Sequence, residues 1–245
     1  MKTLKIFLSK KESYLNSAVK LAQECPLKTD ILYIEHVGNE ELFQLIGKDD
    51  IVYFLCNDSF VSNIIKKIQV LNCFIYNKNF LIKNYEKDDI QILLYKSGIK
   101  VPFMVTYEDI EKKHFPLFCK EKKHTGITFQ SYNKSTLTRF FNKFELTDFY
   151  FEKSILGKDK PPMEFKVYYL NGEIFTKDGG LDLNNNIKKI CSDISDCLDK
   201  IEVFSVDLVQ TSNNYYVIDV NPASGFFLSS NARKCFLQKT ITMSK

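Results

Sequence analysis

Short apolar runs and helically spaced apolar positions alternate along the first third of the chain. Residues 4–8 (Leu-Lys-Ile-Phe-Leu), 31–34 (Ile-Leu-Tyr-Ile) and 51–55 (Ile-Val-Tyr-Phe-Leu) read as strands. Between them, Leu15, Val19 and Ala22, then Leu42, Leu45 and Ile46, recur at helical spacing. A further helix around 59–69 leads to the strand Cys73-Phe74-Ile75-Tyr76. Strand–helix alternation of this kind predicts a small open parallel sheet over residues 1–77.

After Tyr76 the pattern changes. A helix over 86–97 ends at Gly98, suited to a C-cap, and Val101-Pro102 opens an extended piece. Strands are expected near 116–120, 126–130 and 148–155, with a helix near 135–144 between the last two. The remainder predicts strands at 164–170 and 173–176, a helix at 184–200, strands at 203–210 and 215–221, and a helix at 226–240. Strands now arrive in adjacent pairs, which points to antiparallel α+β layers. The expected partition is therefore an α/β domain at 1–77 and a second domain at 78–245.

Composition narrows the class. The 245 residues are 44% hydrophobic and 26% charged, an ordinary soluble balance. No apolar run reaches the roughly 18 to 20 residues needed to cross a bilayer, and Lys10, Lys11 and Glu12 interrupt the first one, against a secretory signal. Seven scattered cysteines with no Cys-x-x-Cys pair fit reduced thiols in a cytoplasmic protein. A net charge of +4, with lysines interleaved among acids, argues against a nucleic-acid footprint and leaves an anionic small ligand open.

The segment richest in chemistry is Val203–Gln210, a polar loop, and Tyr215–Asn221 followed by Pro222. Alternation places Phe204, Val206, Leu208, Ile218 and Val220 on one apolar face, leaving Asp207, Asp219 and Asn221 on the other. A hairpin centred on Asn213 sets Asp207 opposite Asp219. Two carboxylates about 5 Å apart at an effective dielectric of about 20 repel by roughly 3 kcal/mol, and a divalent cation between them reverses the sign. Two carboxylates and an amide oxygen suit a hard ion such as Mg²⁺, with Mn²⁺ as an alternative. The bland alternative is a polar strand end before Pro222.

Lys120 ends the apolar strand Pro116–Lys120, and Gly126 closes the turn after it, an arrangement able to meet phosphate or to be a plain basic turn. Phe151 and Glu152 end another apolar strand, offering an aromatic wall and an acceptor for an amino or ribose hydroxyl group, or simply core. On Glu164–Leu170, Lys166 shares a face with Glu164 and Tyr168. No Gly-x-x-x-x-Gly-Lys-Ser/Thr, no Gly-x-Gly-x-x-Gly and no nucleophilic triad is present.

In this order and spacing the segments resemble the ATP-grasp superfamily, nearest the branch of ribosomal-protein glutamate ligase and glutathione synthetase. Lys87, Leu94, Gly98-Ile99 and Val101-Pro102, then Pro116–Lys120, Phe151-Glu152, Glu164–Tyr168 with Asn171-Gly172, and Asp207 with Asp219-Val220-Asn221-Pro222 carry the likeness over about residues 72–226. The resemblance implies a pre-ATP-grasp domain followed by two α+β subdomains gripping ATP. It implies Lys87 and Lys120 on phosphates, Lys166 on the γ-phosphate, and magnesium on Asp207, Asp219 and Asn221. It further implies a carboxylate activated as acyl phosphate for an amine or thiol, on small-molecule or peptide substrates, in a chain that can pair as a homodimer. A small-molecule kinase or a non-catalytic nucleotide-binding subunit is the alternative. The chain departs from the pattern in its short turn at Glu121–Gly126 and in the brevity of Thr176–Gly180.

Overall fold

A computed structural model describes residues 2–10, 14–56, 59–123, 126–155, 162–176, 184–212, 214–224 and 229–243. The chain divides into two compact units, one of residues 1–85, 166–206 and 221–245, the other of residues 86–165 and 207–220. The change of pattern near residue 78 falls within the first of them.

The first unit opens with β1 (Thr3–Leu8), α1 (Leu15–Glu24), β2 (Lys28–Tyr33), α2 (Asn39–Leu45), β3 (Ile51–Phe54), α3 (Ser59–Ile68), β4 (Phe74–Ile75) and α4 (Lys78–Lys83). The four strands form a parallel sheet in the order β2-β1-β3-β4, with Thr3 level with Lys28 and Leu4 with Ile51. β1 and β3 are buried along their whole length, as expected of central parallel strands whose faces are both covered. The charge within β1 is matched on the spot: Lys5 Nζ lies 2.6 Å from Asp30 and 3.8 Å from Asp50.

Later segments complete this unit's core. Tyr168, Leu170 and Val203 pack in one cluster with Leu4, Ile6, Leu8 and Leu21. The ring of Phe236, on α8 (Ser230–Met243), packs at a tilt 4.8 Å from Tyr53 and 5.0 Å from Tyr76. Asn77 adopts the left-handed conformation asparagine tolerates, φ 57°. Its Oδ1 accepts from Glu202 N and Val203 N, and its Nδ2 donates to Val203 O and Pro222 O.

The second unit contains α5 (Lys87–Lys96), β5 (Met104–Val105), β6 (Leu117–Glu121), β7 (Thr128–Ser131), α6 (Lys134–Phe141) and β8 (Phe149–Lys153). Gly98, at φ +79°, stops α5, and Ile99 N returns to Leu94 O at 3.0 Å, closing the helix end. The strands form an antiparallel sheet in the order β5-β8-β6-β7. Leu117, Cys119, Phe149 and Phe151 form a core cluster with Leu137, and Phe140 and Phe141 of α6 pack against it.

A third sheet has the order β10-β9-β11-β12, from β9 (Met163–Leu170), β10 (Glu173–Thr176), β11 (Val203–Gln210) and β12 (Tyr215–Asn221), with α7 (Asn185–Cys197) between β10 and β11. The β9–β10 hairpin turns on Asn171 (φ 45°) and Gly172 (φ 92°), the two-residue positive-φ turn that Asn-Gly favours. Strands β10, β11 and β12 have the bounds expected from sequence. The apolar-face expectation needs correction: Val203, Val209 and Val217 are as buried as Phe204, Val206 and Leu208, while Ile218 is only half-buried. Both sides of β11 are covered, so Asp207 is half-buried rather than on a solvated face.

Among the described residues none of the seven cysteines forms a disulfide. Among the described residues no helix is long and apolar enough to cross a membrane.

Candidate functional site

The antiparallel sheet of the second unit has two unlike faces. Pairing sets Cys119 opposite Phe151, Lys120 opposite Tyr150 and Phe118 opposite Glu152. Since successive side chains point to opposite sides, Lys120, Tyr150 and Glu152 share the face turned away from the α6 core. There Lys120 Nζ lies 2.6 Å from Glu152 Oε2 and donates to Ile218 O at 2.7 Å. Glu152 is 1% exposed and Tyr150 7%. Glu152 Oε1 and Tyr150 Oη are buried with no hydrogen-bond partner.

Burial pushes the Glu152 carboxyl above its ordinary range, opposed by the Lys120 ammonium and reinforced by Asp219. Burial likewise raises the Tyr150 phenol, with Glu152, Asp219 and Asp88 adding to the effect, so its proton is held firmly. A buried carboxylate oxygen and a buried phenol lacking partners on one face are costly for the protein alone. A ligand bringing complementary groups removes that cost.

The start of α5 adds a second set of charges. Lys87 N donates to Lys122 O at 2.9 Å, which joins the helix to the end of β6. Lys87 Nζ lies 3.2 Å from Asp219 Oδ1, and Lys122 Nζ 3.4 Å from Asp88 Oδ2. Burial raises the Glu121 carboxyl at the same strand end. Gly126 sits at φ +90° with open space where a Cβ would stand, so its backbone form requires glycine. His124 and Thr125, the middle of that turn, lie outside the described residues, as do Lys177–Gly180 and the Asn213 turn centre.

The structure thus brings Lys87, Lys120, Glu152 and Asp219 together through contacts within one compact unit. Asp207 stands on β11, the neighbour of β12. Asn221 and Lys166 belong to the first unit. There Asn221 Nδ2 donates to Tyr14 Oη at 3.1 Å, while its Oδ1 accepts from Ala223 N at 2.9 Å. Lys166 is half-buried on β9.

Phe151 is placed differently from expectation. Its ring lies in the core under α6, 5.7 Å from Phe141 and 5.9 Å from Tyr107, on the opposite side of β8 from Glu152. The aromatic residues on the charged face are Tyr150 and Phe118, which the pairing sets beside Lys120 and Glu152. The phase of β8 carried that signal: Phe149 and Phe151 alternate with Tyr150 and Glu152, the two polar-tipped members.

The donor chemistry of Asp207, Asp219 and Asn221 is all oxygen, which fits a hard dication that keeps waters and takes phosphate oxygens. Among the described residues no group of three His, Cys, Asp or Glu side chains is placed to hold a metal.

No family model matches the sequence, and no curated protein matches it either. Solved structures do match in fold. D-alanine–D-alanine ligase from Bacillus anthracis, complexed with ATP, is 15% identical, with a TM-score of 0.72 over 98% of this chain and 95% of that one. The ATP-grasp ligase PsnB, complexed with precursor peptide PsnA2 and AMPPNP, is 11% identical, with a TM-score of 0.69 over 99% of this chain and 97% of that one. A RimK domain protein ATP-grasp from Sphaerobacter thermophilus is 8% identical, with a TM-score of 0.69 over 98% and 97%. Shared path of the chain at such low identity is a statement about architecture, and the architecture of this chain is the ATP-grasp fold.

Proposed function

We propose that this chain is an ATP- and Mg²⁺-dependent ligase that activates a carboxylate as an acyl phosphate for attack by an amine or thiol. The observation that carries the reading is the charged face of the second unit, where Lys87 and Lys120 are held by Asp219 and Glu152. Full-length likeness to ligases solved with ATP and with AMPPNP supports it.

On this reading Lys87 and Lys120 bind phosphate oxygens, and Glu152 accepts from an amino or ribose hydroxyl group of the nucleotide. Lys166 meets the γ-phosphate. Asp207, Asp219 and Asn221 hold Mg²⁺, which when bound neutralises charge on the phosphate oxygens. The protein's own part is to position and to exclude water; no side-chain nucleophile is needed. The acceptor is a small-molecule or peptide carboxylate, the latter favoured by PsnB having been solved with its precursor peptide. Seven cysteines without a disulfide among the described residues support a reducing compartment such as the cytoplasm.

The test is a screen of carboxylate and amine pairs with Mg-ATP, following release of ADP and phosphate together. Acceptor-dependent release of both supports the ligase. Labelled γ-phosphate retained in a stable product would make it a kinase, and Mg-ATP binding without turnover on any pair would make it a nucleotide-binding subunit.

A further inference from the structure

Tyr150 stands on the charged face with a hydroxyl that nothing among the described residues receives. It lies opposite Lys120 in the β6–β8 pairing and two residues before Glu152 on the same side of β8. Only 7% of the residue is exposed, and Oη has no hydrogen-bond partner among the described residues. The carboxylates acting on it are Glu152, Asp219 and Asp88, and none of them accepts its hydrogen bond. Two of those three pair with lysines: Asp219 with Lys87 at the start of α5, and Asp88 with Lys122 just past the end of β6.

A buried hydroxyl that keeps its proton is a donor in need of an acceptor. Leaving such a donor unmade costs folding free energy, so a phenylalanine here would suit the ligand-free protein better. The neighbouring cations indicate the acceptor. Lys120 stands opposite Tyr150 on the sheet, and Lys120 and Lys87 pair with two of the carboxylates that act on the phenol, Glu152 and Asp219. An acceptor drawn to both lysines is anionic and rich in oxygen.

We infer that Tyr150 is a phosphate-binding residue, its hydroxyl donating to an oxygen of the nucleotide's phosphate chain between Lys87 and Lys120. The inference rests on the proposed nucleotide site and adds a neutral donor to its two lysines. A neutral donor has a distinct use there: it binds phosphate oxygen without adding positive charge beside a bound dication. A charge-assisted hydrogen bond of this kind contributes roughly tenfold to a hundredfold in affinity.

The experiment compares the wild type with Tyr150→Phe by calorimetric titration of ATP, ADP, inorganic tripolyphosphate and adenosine with Mg²⁺ present, and by thermal unfolding without ligand. The expected result is at least about tenfold weaker binding of the three phosphate-bearing ligands and unchanged adenosine binding. The ligand-free melting temperature should hold or rise, because the variant loses an unpartnered hydroxyl. Equal ATP affinity in the two proteins overturns the inference. So does an equal loss for adenosine, which would put the hydroxyl on the base, or a lowered melting temperature with unchanged binding, which would make Tyr150 structural. A wild type that binds none of the four ligands would instead remove the nucleotide site itself, and this residue's role with it.

Discussion

Replacing Lys120 by methionine isolates the electrostatics of the site. In the structure its ammonium meets Glu152 Oε2 at 2.6 Å and Ile218 O at 2.7 Å, and its side chain is 14% exposed against 1% for Glu152. Removing one partner of a buried ion pair leaves the other charge uncompensated and costs roughly 3–5 kcal/mol. About 1 kcal/mol of that is the lost bond to Ile218 O and does not depend on pH. The rest belongs to the Glu152 carboxylate. Its carboxyl already lies above the ordinary carboxylate range because of burial, and Lys120 is its chief opposing influence, so the variant raises it further.

A carboxyl raised in the folded state contributes stability that is complete below its unfolded value and is lost as pH climbs through the folded value. The Lys120→Met deficit should therefore shrink toward about 1 kcal/mol near pH 4.5, where Glu152 is protonated in the variant, and widen as the pH rises from there. The wild type follows the same sense less steeply, because Lys120 compensates the charge. Urea unfolding at several pH values measures this. Adding Glu152→Leu to Lys120→Met should recover about 1–4 kcal/mol at neutral pH, as two apolar partners relieve what one cannot. A deficit constant with pH, or a double variant no more stable than the single one, would refute the reasoning.

Two other changes separate binding from folding. The Lys87–Asp219 pair is partly exposed, at 18% and 30% of the side chains, so Asp219→Asn should alter stability by less than about 1 kcal/mol. The same change should remove magnesium-dependent nucleotide binding in a calorimetric titration, and undiminished binding in the folded variant would take Asp219 out of the site. Asn77→Ala loses four hydrogen bonds, three of them buried, and a residue suited to φ 57°, and should cost about 3 kcal/mol or more in urea unfolding. A change under about 1 kcal/mol would show that those groups find other partners.

Much of the element plan is legible in the residues because it rests on local alternation. The ends of β10, β11 and β12 coincide with the expected strands, each bounded by a polar segment or a turn. The helix α4 (Lys78–Lys83) is not legible for a local reason: six residues are flanked by Asn77 and Asn84, both left-handed, and asparagines at such positions read as turns. Packing is harder still. Tyr168, Leu170 and Val203 join Leu4 and Ile6 in one cluster, a grouping that no window of sequence contains.

The candidate site shows where local reading stops and why. Lys87, Lys120, Glu152 and Asp219 are each visible at an element end, yet they are spread over more than a hundred residues and four elements. What pairs the two on the sheet is the register of β6 against β8, and register is set on the other face, where Leu117, Cys119, Phe149 and Phe151 pack with Leu137. A slip of one residue on β8 would turn Phe151 toward Lys120 and bury Glu152 among the rings. The apolar core beneath α6 thus positions the charges it never touches. The same constraint explains Phe151 and Tyr150: alternation puts them on opposite faces, and the side on which Phe149 and Phe151 pack as core leaves Tyr150 with the polar Glu152 on the other.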